Sequence, residues 1–198
     1  MSKNREIEIK IQIDEKTFKI AKTWLEKYAK YEGVLGQTDY YFNKPDAPFF
    51  FILPDGSKDS LEYLRVRVTD KKSYLCFKKV YRREDVSFYC DEYEVVIDDP
   101  EKTLSLFKAI GYTDVTVVEK SREIYRFDIF EVAIDTVKDL GVFIEVELKQ
   151  PVPSVEAGHK LIRQFLKKIG IKSFEQHLQG YVRMLWKRDL SNSSGIAP

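Results

Sequence analysis

One pattern limits this chain more than any other: strand-length segments in which every second residue is charged and the residues between are apolar. It opens at Glu6-Ile7-Glu8-Ile9-Lys10. On an extended strand successive side chains point to opposite faces. Glu6, Glu8 and Lys10 therefore share one face, and Ile7, Ile9 and Ile11 share the other. The pattern returns at residues 61–69, where Leu64, Val66 and Val68 oppose Tyr63, Arg65 and Arg67. It returns again at 73–80, ending at Lys78, and at 86–97, where Glu92 and Glu94 oppose Tyr93 and Val95. Lys120 and Arg122 share a face in the segment 113–127. In a hairpin of 130–136 and 141–149, Asp135 lies on the first arm, and Phe143, Glu145 and Glu147 oppose Val142, Ile144, Val146 and Leu148 on the second.

The intervening stretches supply the rest of the architecture. Helical spacing of Phe18, Ala21, Leu25 and Tyr28 predicts a helix over about 15–30. Gly33 and Gly36 punctuate the next connection, and Gln37–Phe42 reads as a strand with Gln37, Asp39 and Tyr41 on one face. Residues 43–60 contain Pro45, Pro48, Pro54 and Gly56 and read as a loop, with an apolar run at Phe49–Leu53. Arg82-Arg83-Glu84-Asp85 reads as a charged turn. A short helix over about 100–110 ends at Gly111. After Pro151 and Pro153 come two amphipathic helices, one lined by Leu161, Ile162, Phe165, Leu166 and Ile169. The other is lined by Phe174, Leu178, Tyr181, Val182 and Leu185. A single domain over 1–190, with a loose tail at 191–198, is expected.

Two arrangements satisfy the alternation. An open sheet with one wet, charged face is one. The other is an antiparallel barrel with charged faces inward and apolar faces packed outward on helices, the reverse of the usual small barrel. Like charges bunch in Glu-x-Glu, Arg-x-Arg, Lys-x-Arg and Glu-x-Glu pairs, whereas a face built only for solubility mixes signs. Lys plus Arg number 33 and Asp plus Glu 32, so the many charges cancel overall while segregating locally. The expected fold is α+β: a closed or nearly closed antiparallel β-barrel with helices packed outside.

A net charge of +1 argues against nucleic-acid or membrane-surface binding. No apolar run reaches membrane-span length, and the N-terminus lacks the apolar core of a signal peptide. Cys76 and Cys90 have no zinc-like spacing, and a reducing cytoplasm is the expected compartment. Clustered carboxylates suit Mg²⁺ or Mn²⁺, and clustered Lys and Arg suit phosphate oxygens. A cavity holding both suits a metal-bound polyphosphate, and phosphoryl transfer needs mainly positioning and charge stabilisation. No Gly-x-x-x-x-Gly-Lys loop supplies a phosphate cradle. Chemistry built on histidine has only His159 and His177 to draw on, both on predicted outer helices.

Glu6-Ile7-Glu8-Ile9-Lys10 resembles the Glu-x-Glu-x-Lys signature of the CYTH domain, the triphosphate tunnel metalloenzyme fold. The resemblance extends through Asp39–Phe42, Arg65-Val66-Arg67, Lys78, Glu92 with Glu94, Lys120 with Arg122, Asp135 and Glu145-Val146-Glu147. It implies an eight-stranded triphosphate tunnel. It also implies that Glu6, Glu8 and Glu147 are metal ligands, with Glu94 and Glu145 nearby. Lys10, Arg65, Arg67, Lys78, Lys120 and Arg122 match the family's triphosphate-binding cations. Asp135 matches a supporting acidic residue, and clustered cations are expected to lower the pKa of Lys78 and suit it to accept a proton from the attacking water. The implied activity is metal-dependent hydrolysis of inorganic, nucleoside or thiamine triphosphate. The alternative is a class IV adenylyl cyclase forming cyclic AMP and pyrophosphate. A module that binds polyphosphate without turnover is a third reading, and a homodimer fits the family.

Overall fold

The computed structural model describes residues 5–54, 58–83, 86–174 and 180–193. In chain order the elements are β1 (Arg5–Glu6), β2 (Glu8–Gln12), α1 (Glu15–Tyr28), β3 (Lys30–Asn43), β4 (Phe50–Ile52), β5 (Lys58–Ser60), β6 (Glu62–Thr69) and β7 (Ser73–Arg83). They continue with β8 (Val86–Ile97), α2 (Pro100–Ala109), β9 (Thr113–Phe127), β10 (Phe130–Val137), β11 (Gly141–Leu148), α3 (Val155–Lys168) and α4 (Tyr181–Ser193).

The large sheet has the order β1-β8-β7-β6-β3-β9-β10-β11-β2, antiparallel throughout. Its two ends are one stretch of chain. Arg5 and Glu6 pair with Asp91 and Cys90 of β8, and Glu8–Gln12 pair with Glu147–Phe143 of β11. The break falls at Ile7, whose carbonyl accepts from Leu148 N at 3.1 Å. The predicted first strand is therefore split between two neighbours, and this split nearly closes an eight-strand circuit. The inward-facing barrel, not the open sheet, is the fold.

Apolar burial follows from the alternation. Ile7, Ile9 and Ile11 face outward with Val132, Ile134, Ile144 and Val146 and form one core with Ala21 and Leu25 of α1 and Ile162, Phe165 and Leu166 of α3. Asp14 caps α1 by accepting from Thr17 N, and Ser154 caps α3 by accepting from Ala157 N. Helix α3 runs close to the barrel at Gly158, where a Cβ would lie 2.9 Å from Leu148 Cδ1 and 3.2 Å from Ile7. A second core sits at one end of the barrel. There the inward-facing Tyr41, Val118, Val137 and Phe143 are covered by Tyr181, Val182, Leu185 and Trp186 of α4 and by Phe49 and Phe50. Helix α4 thus covers a mouth of the barrel, whereas α1 and α3 line its flank.

Several boundaries differ from the sequence expectation. Strand β3 begins at Lys30, not Gln37, because Gly33 adopts φ +125° beside a register shift that lets the chain stay paired with β9. The segment read as a loop, 43–60, contains the two-stranded ribbon β4–β5. Strand β7 runs on to Arg83, so Arg82 is a strand residue rather than part of a turn. Helix α4 begins at Tyr181 and continues to Ser193; Phe174 precedes it, while Leu178 and His177 lie outside the described residues, as does 194–198 of the expected tail. No described helix is long and apolar enough to cross a membrane.

Candidate active site

The inward faces of the strands enclose one charged cavity. Of the residues singled out by sequence, Glu6, Glu8, Lys10, Arg65, Arg67, Lys78, Lys120, Arg122 and Glu145 all line it. Strand register explains the meeting. Lys10 lies opposite Glu145 on β11, Lys78 opposite Glu92 on β8, and Arg122 opposite Asp135 on β10. Like-signed neighbours along a strand thus become opposite-signed neighbours across it.

The cavity divides into an acidic and a basic sector. In the acidic sector Lys78 Nζ stands 2.5 Å from Glu6, 3.3 Å from Glu8 and 3.8 Å from Glu92. Burial raises the Glu6 carboxyl well above the ordinary range; Lys78 opposes that shift, and Glu8, Glu92 and Glu147 reinforce it. Burial works against the charge on Lys78, but its neighbours Cys90, Glu6, Glu8 and Glu92 overcome it and raise its pKa. The expected lowering at Lys78 is therefore reversed, because its closest neighbours are acids and not the other cations.

In the basic sector Arg122 donates to both Asp135 oxygens, at 2.7 and 2.6 Å, and to Glu145. Lys120 reaches Asp135 at 2.8 Å, and Lys10 reaches Glu145 at 2.7 Å. Asp135 has no solvent exposure; it lies behind the cavity wall, where its neighbours Arg122 and Lys120 outweigh burial and hold it ionised. Lys120 is the lysine whose pKa falls, to about 8, through burial first and then the Arg122 guanidinium.

Two further expected residues stand at the margin. Glu94 accepts from the Cys76 thiol at 3.2 Å and is 3.8 Å from Arg67. Glu147 is level with Glu8 in the β2–β11 register, but its carboxylate is 2.8 Å from Lys149. Residues given no role by sequence complete the wall. Asp39 is buried and accepts from Arg67 at 2.8 and 3.1 Å, with Arg65 at 3.6 Å. Glu92 takes Arg65 at 2.7 Å, and Tyr41 Oη accepts from Arg65 at 3.2 Å. Asp39 and Glu92 each carried a signal, a place on a charged strand face. Tyr181 and Arg82 carried none, since one begins a helix and the other was assigned to a turn.

The donor set fits a hard divalent cation. Glu6 and Glu8 present oxygens near the Cys90 sulfur, and Glu92 and Glu94 near that of Cys76. Burial pushes both thiols up to about 12, so they stay protonated and leave the carboxylates as the anionic donors. Crowded, buried carboxylates with an upward-shifted member are what a bound cation would relieve.

Residues 4–181 match the family model of the CYTH domain. This chain belongs to the CYTH family. A curated relative from Methanocaldococcus jannaschii, named "Putative adenylate cyclase MJ0240", is 30% identical over 161 residues, covering 81% of this chain and 85% of that protein. Among solved structures, the PH1012 protein of Pyrococcus horikoshii is 27% identical with a TM-score of 0.72, covering 89% of this chain and 97% of that one. The Hippeastrum protein HpAC1, whose structure is described as revealing a dominant triphosphatase activity, superposes with a TM-score of 0.60 at 18% identity. It covers 98% of this chain and 97% of that one.

Proposed function

We propose that this CYTH protein is a divalent-metal-dependent triphosphatase that hydrolyses an inorganic, nucleoside or thiamine triphosphate inside the barrel. The observation that carries the reading is the charge of the cavity. Seven cations, Lys10, Arg65, Arg67, Lys78, Arg82, Lys120 and Arg122, line it with five carboxylates, Glu6, Glu8, Asp39, Glu92 and Glu145, an excess of two positive charges. A divalent metal alone would add to that excess. A metal with a triphosphate offsets it, because a triphosphate carries more negative charge than one divalent cation neutralises: the metal joins the acids and the phosphates join the bases. Metal and triphosphate should therefore each tighten the other's binding.

Glu6 and Glu8 would hold the metal, with Glu92 and Glu147, whose charges act on Glu6, available to share or steer it. When bound, the metal would neutralise phosphate oxygens and act as a Lewis acid. The chain's own residues do the rest. Arg65, Arg67 and Arg122 offer forked donors to phosphate oxygens, and Lys10 and Lys120 add point charges. Asp39 and Asp135 orient those side chains from behind. Lys78, held charged by three acids, serves as a fixed cation near the metal ligands. The HpAC1 triphosphatase activity supports hydrolysis for this shared fold. Cyclisation of ATP is the second reading, supported by the name of the Methanocaldococcus relative.

Incubation with inorganic triphosphate, ATP or thiamine triphosphate and Mg²⁺ or Mn²⁺ tests both readings. Orthophosphate with a diphosphate product, abolished by a chelator, is the expected result. Cyclic AMP with pyrophosphate would establish the second reading, and no metal-dependent product from any substrate would refute both.

The basic sector gives a pH prediction. Lys120 is charged below about pH 8 and neutral above it. The kcat/KM for a triphosphate should hold steady up to that value and fall beyond it, as one phosphate-binding charge is lost. Lys120→Arg keeps its charge and should move the break to higher pH. A pH–rate profile measured on both proteins checks this; an identical alkaline limb in the two would remove Lys120 from the role.

A further inference from the structure

The ribbon β4–β5 and helix α4 lie outside the barrel circuit, yet a line of contacts runs from one through the other into the basic sector. Helix α4 opens with Tyr181, which is buried. Its hydroxyl donates to Asp135 Oδ2 at 2.9 Å. Lys10 Nζ stands 4.0 Å from its ring centroid and Lys120 Nζ 5.0 Å. An aromatic face attracts a cation within about 6 Å, more strongly where water is excluded. One side chain thus touches two of the proposed phosphate-binding lysines and the carboxylate that orients the second.

No barrel strand supplies Tyr181, so its place depends on how α4 is docked. Two residues further on, Arg183 Nη1 donates to Asp59 Oδ2 at 2.9 Å. Asp59 belongs to β5 and is buried, and its carboxylate also takes both terminal nitrogens of Arg82 on β7, at 2.6 and 2.8 Å. Phe50 of β4 meets Trp186 of α4 edge-on at 4.8 Å. The ribbon therefore fastens α4 to the barrel wall through the buried Asp59 carboxylate, the Phe50 ring and Lys58, whose Nζ stands 5.4 Å from the Trp186 ring centroid.

We propose that Tyr181 is a positioning residue for Lys10 and Lys120, and that Asp59 acts on the same lysines at a distance by holding α4 in place. The consequence for affinity rests on the triphosphate reading above; the placement of the ring does not. With the ribbon docked, the ring holds both ammonium groups over the cavity. With Asp59 removed, α4 loses its polar link to β5 and β7, and the ring no longer holds the two lysines, which keep only their contacts to Glu145 at 2.7 Å and Asp135 at 2.8 Å.

Lysine side-chain NMR of the full chain reads the placement, because protons on Lys10 Cε over the ring face are shifted upfield by its ring current. Tyr181→Leu should abolish that shift and Tyr181→Phe should keep it. Asp59→Ala should abolish it although Asp59 touches neither lysine. Calorimetric titration with inorganic triphosphate should show affinity reduced roughly tenfold in Tyr181→Leu and Asp59→Ala, the scale of a lost desolvated cation–aromatic contact. Should Asp59→Ala fail to fold, Arg183→Met breaks the same link while leaving the Asp59–Arg82 pair. Lys10 signals unchanged in the folded Asp59 or Arg183 variant would overturn the coupling. Signals that move with no change in affinity would overturn the positioning role. A wild type that shows the ring-shifted Lys10 but binds no triphosphate would remove the triphosphate reading, and the Asp59→Ala spectrum would still decide whether Asp59 holds the ring.

Discussion

Asp135→Ala is expected to destabilise the fold by about 3–5 kcal/mol, the range for removing one partner from a buried ionic cluster. Asp135 has no exposure and accepts from Lys120, Arg122 and Tyr181 at once. Without it, Lys120 loses its ion-pair partner, Arg122 is left sharing Glu145 with Lys10, and the Tyr181 hydroxyl loses its acceptor. Asp135→Asn separates shape from charge and should fall between wild type and Ala. The sign with pH follows from the same contacts. Because Arg122 and Lys120 hold the folded carboxyl below its ordinary pKa despite its burial, its contribution is complete above the unfolded value of about 4 and is lost on acidification. Chemical denaturation at neutral pH provides the measurement. A stability within about 1 kcal/mol of wild type, the size of an ordinary substitution effect, would contradict the picture of Asp135 as the anchor of the basic sector.

Glu6→Gln and Glu8→Gln should have the opposite character. Each is expected to cut metal-dependent turnover at least about a hundredfold, equivalent to about 2.7 kcal/mol in the barrier. Neither should destabilise the metal-free protein to a comparable degree. Burial and the neighbouring Glu8, Glu92 and Glu147 already make the ionised form of Glu6 unfavourable, and Lys78 keeps Glu92 and one of the two substituted acids as partners. The raised Glu6 pKa also means that protons compete with the metal, so Mn²⁺ affinity in the wild type should weaken as pH falls. Calorimetric titration with Mn²⁺ across pH, on wild type and Glu6→Gln, checks both points. Wild-type Mn²⁺ affinity in the Glu6 variant would exclude Glu6 as a ligand.

The barrel was legible because a two-residue period leaves little freedom: once Ile7, Ile9 and Ile11 face a core, Glu6, Glu8 and Lys10 must face the other way. The choice of a barrel over an open sheet rested on the bunching of like charges and on the family resemblance, since closure itself turns on Ile7, where the first strand changes neighbours from β8 to β11. Nothing in the residue itself announces such a switch. The members of the site were largely legible as charged strand faces, and all but Glu94, Glu147 and Asp135 line the cavity. Their pairing was hidden. Whether Lys78 stands among acids or cations depends on register across β7, β8 and β1, which no local spacing encodes, and so its expected pKa shift carried the wrong sign. Tyr181, Asp59 and Arg82 were hidden for a related reason. They belong to a helix start, a ribbon inside a proline-rich segment and the end of a strand, and only the packing of α4 over the barrel mouth brings them together.

The claim that the barrel interior binds a metal and a triphosphate side by side is tested most directly by crystals grown with Mn²⁺ and inorganic triphosphate. An anomalous peak at the Glu6 and Glu8 carboxylates, with phosphate density against Lys10, Arg65, Arg67, Lys120 and Arg122, is the expected result. Manganese or triphosphate found only on the outer surface, with the interior ion pairs intact, would contradict it.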